Sequence, residues 1–409
     1  MSKVCLISPG HLGSNPRLVK EADALAEAGY EVQVIYGDSY PPARIRDAAL
    51  IAHAKWKATA IPLKASRGRY IGRRLKQRSV RFLFRTGWRS SWLACGAHHP
   101  LVPALCRAAS GVRADLYIGH CLASLPAAVL AARRNRGKVG FDLEDFHSGE
   151  AEDDAGGRID NQIAAVIEAV WLPHCHYLTA ASPLIAEKYR ELYCPNVTTI
   201  LNVFPLSEAV EPKAPSVEPS FYWFSQTIGP GRGLEEFIGV LVHLDRVCSL
   251  DLRGHISPDY EHDLKALVKG TKIQLHFLEP GLPQSMVHYA AGYTAGLAIE
   301  RRVPINRDLC LTNKAFTYLL AGLPVIFSRT KAQQTLAIEL GDAGLVIDLE
   351  KKVQSATSLE CWLNNDRTQA SARSAASQLG RSRFNWDLEK EKFLGVVRSV
   401  MPRPSISDA

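Results

Sequence analysis

Two hydrophobic rhythms alternate along this chain of 409 residues. Short, nearly unbroken apolar runs are followed by longer stretches in which apolar residues recur every three to four positions. The first half holds runs at Val4–Pro9, Tyr30–Gly37, Ala114–Cys121, His176–Ala180 and Val197–Phe204, with another opening at Lys138. The second half holds Phe221–Phe224, Ser249–His255, Ile273–Glu279, Tyr293–Glu300 and Val325–Phe327. Runs of this kind suit strands buried on both faces of a parallel sheet. The helical stretches carry their own punctuation. After the first run, Ser14 or Asn15 caps a helix that has Pro16 at its first position, an apolar stripe of Leu18, Val19, Ala22, Leu25 and Ala26, and Gly29 at its end. Further on, Thr312 or Asn313 caps a second such helix, Ala315, Phe316, Leu319 and Leu320 form its stripe, and Gly322 ends it before Pro324 opens the next run.

Strand, glycine turn, capped helix and strand, repeated, predict an α/β protein of two Rossmann-like domains. The stretch 206–220 is rich in proline and has no apolar period, so it reads as a linker. The expected division is a first domain over 1–205, a second over 221–383, a final amphipathic helix over 384–401 anchored by Phe384, Trp386, Phe393 and Val397, and a disordered tail, 402–409. The acidic, glycine-bearing segment Glu152–Arg158 reads as a loop.

Charge changes the picture in one place. The net charge is +8, and no Asp or Glu occurs between Ala48 and Ala114. Within Arg67–Trp92, arginines alternate with Tyr70, Ile71, Leu75, Phe82, Leu83, Phe84, Trp88 and Trp92. That mixture predicts a helix lying on an anionic membrane surface. It comes with no nucleic-acid recognition motif, so nucleic acid is not an expected partner. No run of about 18 apolar residues is present, so no membrane-spanning helix is expected. The first residues lack the apolar core and cleavage site of a signal peptide. The nine cysteines are scattered singly, which suits a reducing cytoplasm and offers neither a disulfide framework nor a zinc site. The expected location is cytoplasmic, peripheral at the inner face of the membrane.

The candidate chemistry sits at strand ends. The run at Ala114 ends in His120, and the one opening at Lys138 delivers Asp142, Glu144, Asp145 and His147. Carboxyl ends of parallel strands are where α/β domains keep their sites. In the second half, Gly229-Pro230-Gly231-Arg232-Gly233 joins a strand to a helix, and successive amides in such a loop form an anion nest to which Arg232 adds charge. Glu300 ends the strand that precedes the Asn313 helix. The free N–H groups and Lys314 of that helix suit a phosphate-bearing ligand.

Asn-Lys-x-Phe-x-Tyr-x-x-x-Gly-x-Pro-Val, Asn313 to Val325, resembles the donor-binding helix of GT-B glycosyltransferases, family 4 in particular. The likeness extends along most of the chain. Arg232-Gly233 matches a Lys-Gly step whose lysine neutralises the donor diphosphate. His120 matches the first histidine of a "His-Asp … Asp-x-His-Glu" pair, with Cys121 in place of the aspartate and Glu144-Asp145 in place of His-Glu. The Gly10–Arg17 turn stands where the family's first turn faces the cleft. The chain also departs from the pattern. The companion arginine falls on Thr227, and the Glu-x7-Glu pair falls on Leu309 and Thr317, for which Glu300 or Asp308 are the possible stand-ins.

The resemblance implies a GT-B fold, two domains facing a cleft, with the last helix crossing back to the first. It implies a retaining transfer from a UDP- or GDP-sugar to a lipid-linked or membrane glycan acceptor in polysaccharide assembly. No cofactor and no metal are expected. The implied catalytic residues are His120, Arg232 and Lys314. Gly13, Thr227, Gly229, Gly231, Gly233, Glu300, Asn313 and Thr317 fall on the donor side, and Asn15, Arg17, Asp145 and His147 on the acceptor side. Two alternatives share the fold: a non-catalytic subunit partnering another glycosyltransferase, favoured by Thr227, Leu309 and Thr317, and a nucleotide-sugar 2-epimerase.

Overall fold

The computed structural model describes residues 2–64, 67–193, 196–214 and 217–401. The expected tail, 402–409, lies outside them. The strands form two sheets, parallel throughout. The first contains β1 (Lys3–Ser8), β2 (Glu31–Asp38), β3 (Lys57–Pro62), β4 (Leu116–His120), β5 (Lys138–Leu143), β6 (Tyr177–Ala180) and β7 (Val197–Thr199), in the order β3-β2-β1-β4-β5-β6-β7. The second contains β8 (Ser220–Ile228), β9 (Cys248–Ile256), β10 (Ile273–Leu278), β11 (Ala295–Ala298), β12 (Val325–Phe327) and β13 (Gly344–Val346), in the order β10-β9-β8-β11-β12-β13. Each is doubly wound. Strand order reverses between β1 and β4 in one and between β8 and β11 in the other, and the crevice at such a reversal is where this architecture binds ligands.

The chain divides into two compact units, residues 1–200 with 390–409, and residues 201–389. The boundary thus precedes the proline-rich segment, which belongs to the second unit. There Arg381 donates to the Val210 carbonyl, and Pro212 lies where a Cβ on Gly322 would meet it. The last helix, Trp386–Val400, begins in the second unit, and from Lys390 onward it belongs to the first. Lys390 Nζ lies 3.4 Å from Glu27, and Phe393 and Val397 are fully buried.

Two local readings change. Glu152–Arg158 is not all loop, because the helix Ala155–Trp171 begins inside it. Asp154 caps that helix by accepting from Gly157 N at 2.6 Å. Glycine is required at 157, since a Cβ there would lie 1.9 Å from the Glu152 carbonyl oxygen. The second change is β3, which pairs with β2 as an edge strand and is mostly exposed, so it lacks the apolar run that marks the other strands.

Candidate functional site

In the second unit, β8 carries a bulge between Phe224 and Thr227 and then enters the Gly229–Gly233 loop. Gly231 and Gly233 have φ of 73° and 80°, where side chains are strained. A Cβ on Gly233 would also stand 2.9 Å from Leu349 Cδ1. Gly233 precedes the helix Leu234–Val242, whose first amides have no partner within the helix.

Across the strand-order reversal, β11 leads to Glu300, which is 2% exposed. Three cations converge on its carboxylate. Lys314 Nζ lies 3.2 Å from Oε1, Arg307 Nη1 3.6 Å from Oε2, and Arg232 Nη1 3.9 Å from Oε1. Arg307 also donates to the Gly231 carbonyl, tying the short helix Ile305–Leu309 to the glycine loop. Lys314 is buried, with its Nζ 5.3 Å over the Trp223 ring. The Glu300 backbone is fixed too. Its N–H donates to Ser328 Oγ at 2.9 Å, and Gln333 accepts from Ser328 N and donates to the Ala298 carbonyl. Three cations against one carboxylate leave an excess of two positive charges beside a loop of free amides. Electrostatically this is an anion site. Glu300 Oε2 is buried without a hydrogen bond, so the cluster holds an unfilled acceptor as well.

The first unit is built differently. The turn after β1 is pinned by a dyad. His11 Nδ1 lies 2.6 Å from Asp47 Oδ2, and His11 Nε2 accepts from the Ser39 and Tyr40 amides at 3.0 and 2.9 Å. Amides can only donate, so the ring proton is on Nδ1 and goes to Asp47. Asp47 in turn accepts from Gly13 N at 2.9 Å. Asn15 caps the helix Pro16–Glu27, as its position in the sequence predicts, by accepting from Leu18 N.

Arg17 does not face outward. It is 1% exposed, and its guanidinium forks onto Asp142 at 2.5 and 2.7 Å while donating to the Ile200 carbonyl at 2.6 Å. A buried arginine needs a counter-ion, and β5 supplies one. His120 ends β4 as expected, but its ring is fully buried. Nε2 lies 3.1 Å from Glu21, and Nδ1 lies 3.5 Å from Asp142 and 3.4 Å from Glu144. Burial works against the imidazolium, yet Glu21 and the close approaches of Asp142 and Glu144 hold the His120 pKa well above its ordinary value. Burial, against the pull of His120, pushes the Glu21 carboxyl up. Burial also opposes a charged Asp142, but Arg17 and His120 outweigh it and hold that carboxyl low. Glu21, His120 and Asp142 lie close enough to suggest metal ligands. However, Arg17 and Thr179 already occupy both Asp142 oxygens, and a cation there would meet the guanidinium. The residues form a charge-balanced strut and do not fit a metal. Cys121 follows at φ 61°, ψ 144°, a conformation costing a side chain about 1–3 kcal/mol. Burial and the surrounding carboxylates push its thiol far up. His147 is also inward-facing, with Nδ1 2.9 Å from Glu150. Asp145, two residues before it, is half-buried.

The structure therefore gathers Arg232, Gly231, Gly233, Glu300 and Lys314 into one cluster, with Gly229 on the same loop and Asn313 beside Lys314. Thr227 is exposed at the rim of the bulge. Thr317 is turned away from any ligand. It is fully buried and its hydroxyl donates to the Asn313 carbonyl of its own helix. Asp308 accepts from Lys331 N at the start of the helix Lys331–Leu340. The sequence reading missed Arg307, which lies in a segment without periodicity, and the His11–Asp47 dyad, whose members are 36 residues apart.

Two doubly wound parallel domains of this order define the GT-B fold. Neither a protein-family model nor a curated protein matches the chain by sequence. Solved structures match it over nearly its whole length. Sucrose-phosphate synthase from Thermosynechococcus elongatus aligns at a TM-score of 0.72 and 14% identity, covering 98% of this chain and 99% of its own. Anabaena HepE, solved in complex with UDP-glucose, aligns at 0.70 and 14%, covering 97% and 99%. A putative UDP-N-acetylglucosamine 2-epimerase from Listeria monocytogenes aligns at 0.60 and 12%, covering 99% of each chain. The GT-B architecture is common to all three, and at these identities the likeness carries the fold alone.

Proposed function

We propose that this protein is a glycosyltransferase, of family 4 and the hexosyltransferase type, that takes a sugar from a UDP- or GDP-sugar bound at the Glu300 cluster. The observation that carries the reading is the convergence of Arg232, Arg307 and Lys314 on one carboxylate beside the glycine loop. In the reaction an acceptor hydroxyl bonds to the anomeric carbon, the sugar–phosphate C–O bond breaks, and its electron pair leaves on the diphosphate. In the retaining, front-face course the hydroxyl proton passes to that same phosphate oxygen. Negative charge grows on the leaving group, so cations and amides fixed there favour the transition state over the ground state. Arg307 supplies the charge absent at Thr227, and the three cations do the work a metal would do. Glu300 Oε2 is an acceptor for a hydroxyl of the bound donor. The buried His120 acts as a positioning residue at the end of β4. The acceptor is a lipid-linked or membrane glycan of polysaccharide assembly, met on the cytoplasmic side.

Calorimetric titration with UDP, GDP, CDP and ADP, without metal, tests the donor site. One nucleotide should bind in about the micromolar range. Arg232→Ala and Arg307→Ala should each weaken it by roughly ten- to a hundredfold, as expected for loss of a charge-assisted hydrogen bond. Wild-type affinity in both variants would overturn the assignment.

Thr317, spent on its own helix, and Leu309 favour a second reading, a non-catalytic subunit that partners another glycosyltransferase. Failure of all four nucleotides to bind would select it. A 2-epimerase would instead convert a UDP-N-acetylhexosamine with no acceptor present.

A further inference from the structure

Residues 67–85 form one helix, and its two faces differ in kind. The inner face is used. Arg73 donates to the Pro62 and Leu63 carbonyls, Gln77 donates to the Ala97 and His98 carbonyls, and Phe84 is 1% exposed. At 100° per residue, Ile71, Leu75 and Phe82 fall within about 40° of one another on the opposite face. They are 47%, 56% and 66% exposed. Trp88 and Trp92 follow, at 69% and 57% exposure. All the exposed Phe and Trp side chains among the described residues thus lie in an eleven-residue span, Phe82 to Trp92. Such a concentration in one patch calls for a partner.

The flanks say which partner. Arg74, Arg78 and Arg85 run along one side of the stripe and Lys76 along the other. Arg81 pairs with Asp160, but among the described residues no carboxylate lies within ion-pair distance of Arg74, Lys76, Arg78 or Arg85. Arg74 and Tyr70 stack, with the guanidinium carbon 5.6 Å from the ring centroid, beside a shallow groove. An apolar stripe flanked by arginines without a carboxylate partner, with tryptophans at one end, has the composition of a segment lying at the boundary between headgroups and acyl chains.

We infer that the solvent-facing side of the Arg67–Arg85 helix, with Trp88 and Trp92, docks on an anionic lipid bilayer, Ile71, Leu75 and Phe82 entering below the headgroups while the arginines hold the phosphates. The inference does not rest on the donor site, because docking needs no nucleotide.

Co-sedimentation of the full chain with phosphatidylcholine vesicles, and with the same vesicles carrying roughly a third phosphatidylglycerol, tests it. Wild type should partition onto the mixed vesicles and not the neutral ones. Raising salt from about 0.1 M to 1 M shortens the screening length from about 10 Å to 3 Å and should release most of the protein. Arg74→Glu with Arg78→Glu should weaken partition by at least roughly fivefold per arginine. Ile71→Ser, Leu75→Ser and Phe82→Ser together should weaken it more than about tenfold with every charge kept. All five side chains are partly or largely solvent-exposed, so nucleotide binding in solution should stay at the wild-type value and vouch for the fold. No partition of wild type onto the mixed vesicles would overturn the inference. So would unchanged partition of the triple serine variant, or equally tight binding to an unstructured RNA, either of which would make the face a bare polyanion surface.

Discussion

His147 and Glu150 form the side-chain pair whose titration is easiest to follow. Burial disfavours a charged His147, but the hydrogen bond to Glu150 outweighs it and raises the imidazole pKa from 6.5 to about 9. A histidine raised on folding stabilises the protein fully below its unfolded value and loses that contribution as pH climbs through the folded one. Stability should therefore fall between about pH 6.5 and 9 on this account. Urea midpoints measured across that range should drop in wild type and flatten in Glu150→Gln; parallel curves would refute the pairing. The same residues show what a sequence hides. Arg232 is legible because a glycine turn frames it, and Lys314 because an apolar stripe marks its helix, although neither Thr312 nor Asn313 caps that helix with its side chain as expected. Arg307 is not, because nothing in Arg-Arg-Val-Pro-Ile-Asn-Arg-Asp has a period. That Arg17 and His120 point inward could not be read either, since their counter-ions come from distant strands and from Glu21.

Secondary-structure elements were the most legible level. Of the thirteen strands among the described residues, ten lie within the apolar runs or overrun an end by a single residue, because burial on both faces demands such runs. The exceptions have reasons: β3 is an exposed edge, β13 is a half-buried edge, and β8 outran its predicted end through the bulge that aims the glycine loop. The start of the Ala155–Trp171 helix was lost because Asp-Asp-Ala-Gly-Gly reads as a loop unless the Glu152 carbonyl is known to press on Gly157. The glycine loop itself invites a test. Gly233→Ala places a side chain at φ 80° against Leu349, and the left-handed conformation alone costs about 1–2 kcal/mol. Chemical denaturation should show the second unit destabilised by at least that much, and titration should show weaker nucleotide binding. An unchanged denaturation midpoint would mean the loop relaxes to another conformation.

The molecule as a whole consists of two units of unequal continuity. Residues 201–389 form one unit without interruption, whereas the other is assembled from 1–200 and 390–409. A chain ending at Glu389 would keep the second unit whole and lack the helical residues Phe393 and Val397, both fully buried. Its first unit should lose a transition in thermal unfolding and become protease-sensitive, while residues 201–389 keep theirs; an intact first transition would show that the end of the helix is dispensable.

A ribosome makes this protein from one end, and its first two hundred residues emerge without the helix that closes their unit. The middle of the chain has all its parts as soon as it leaves the exit tunnel, so the order of synthesis and the order of completion are reversed. During translation the early sheet must wait, partly open, for the last helix to be made. A stop codon directly after Glu389 therefore acts on residues 1–200, made long before it.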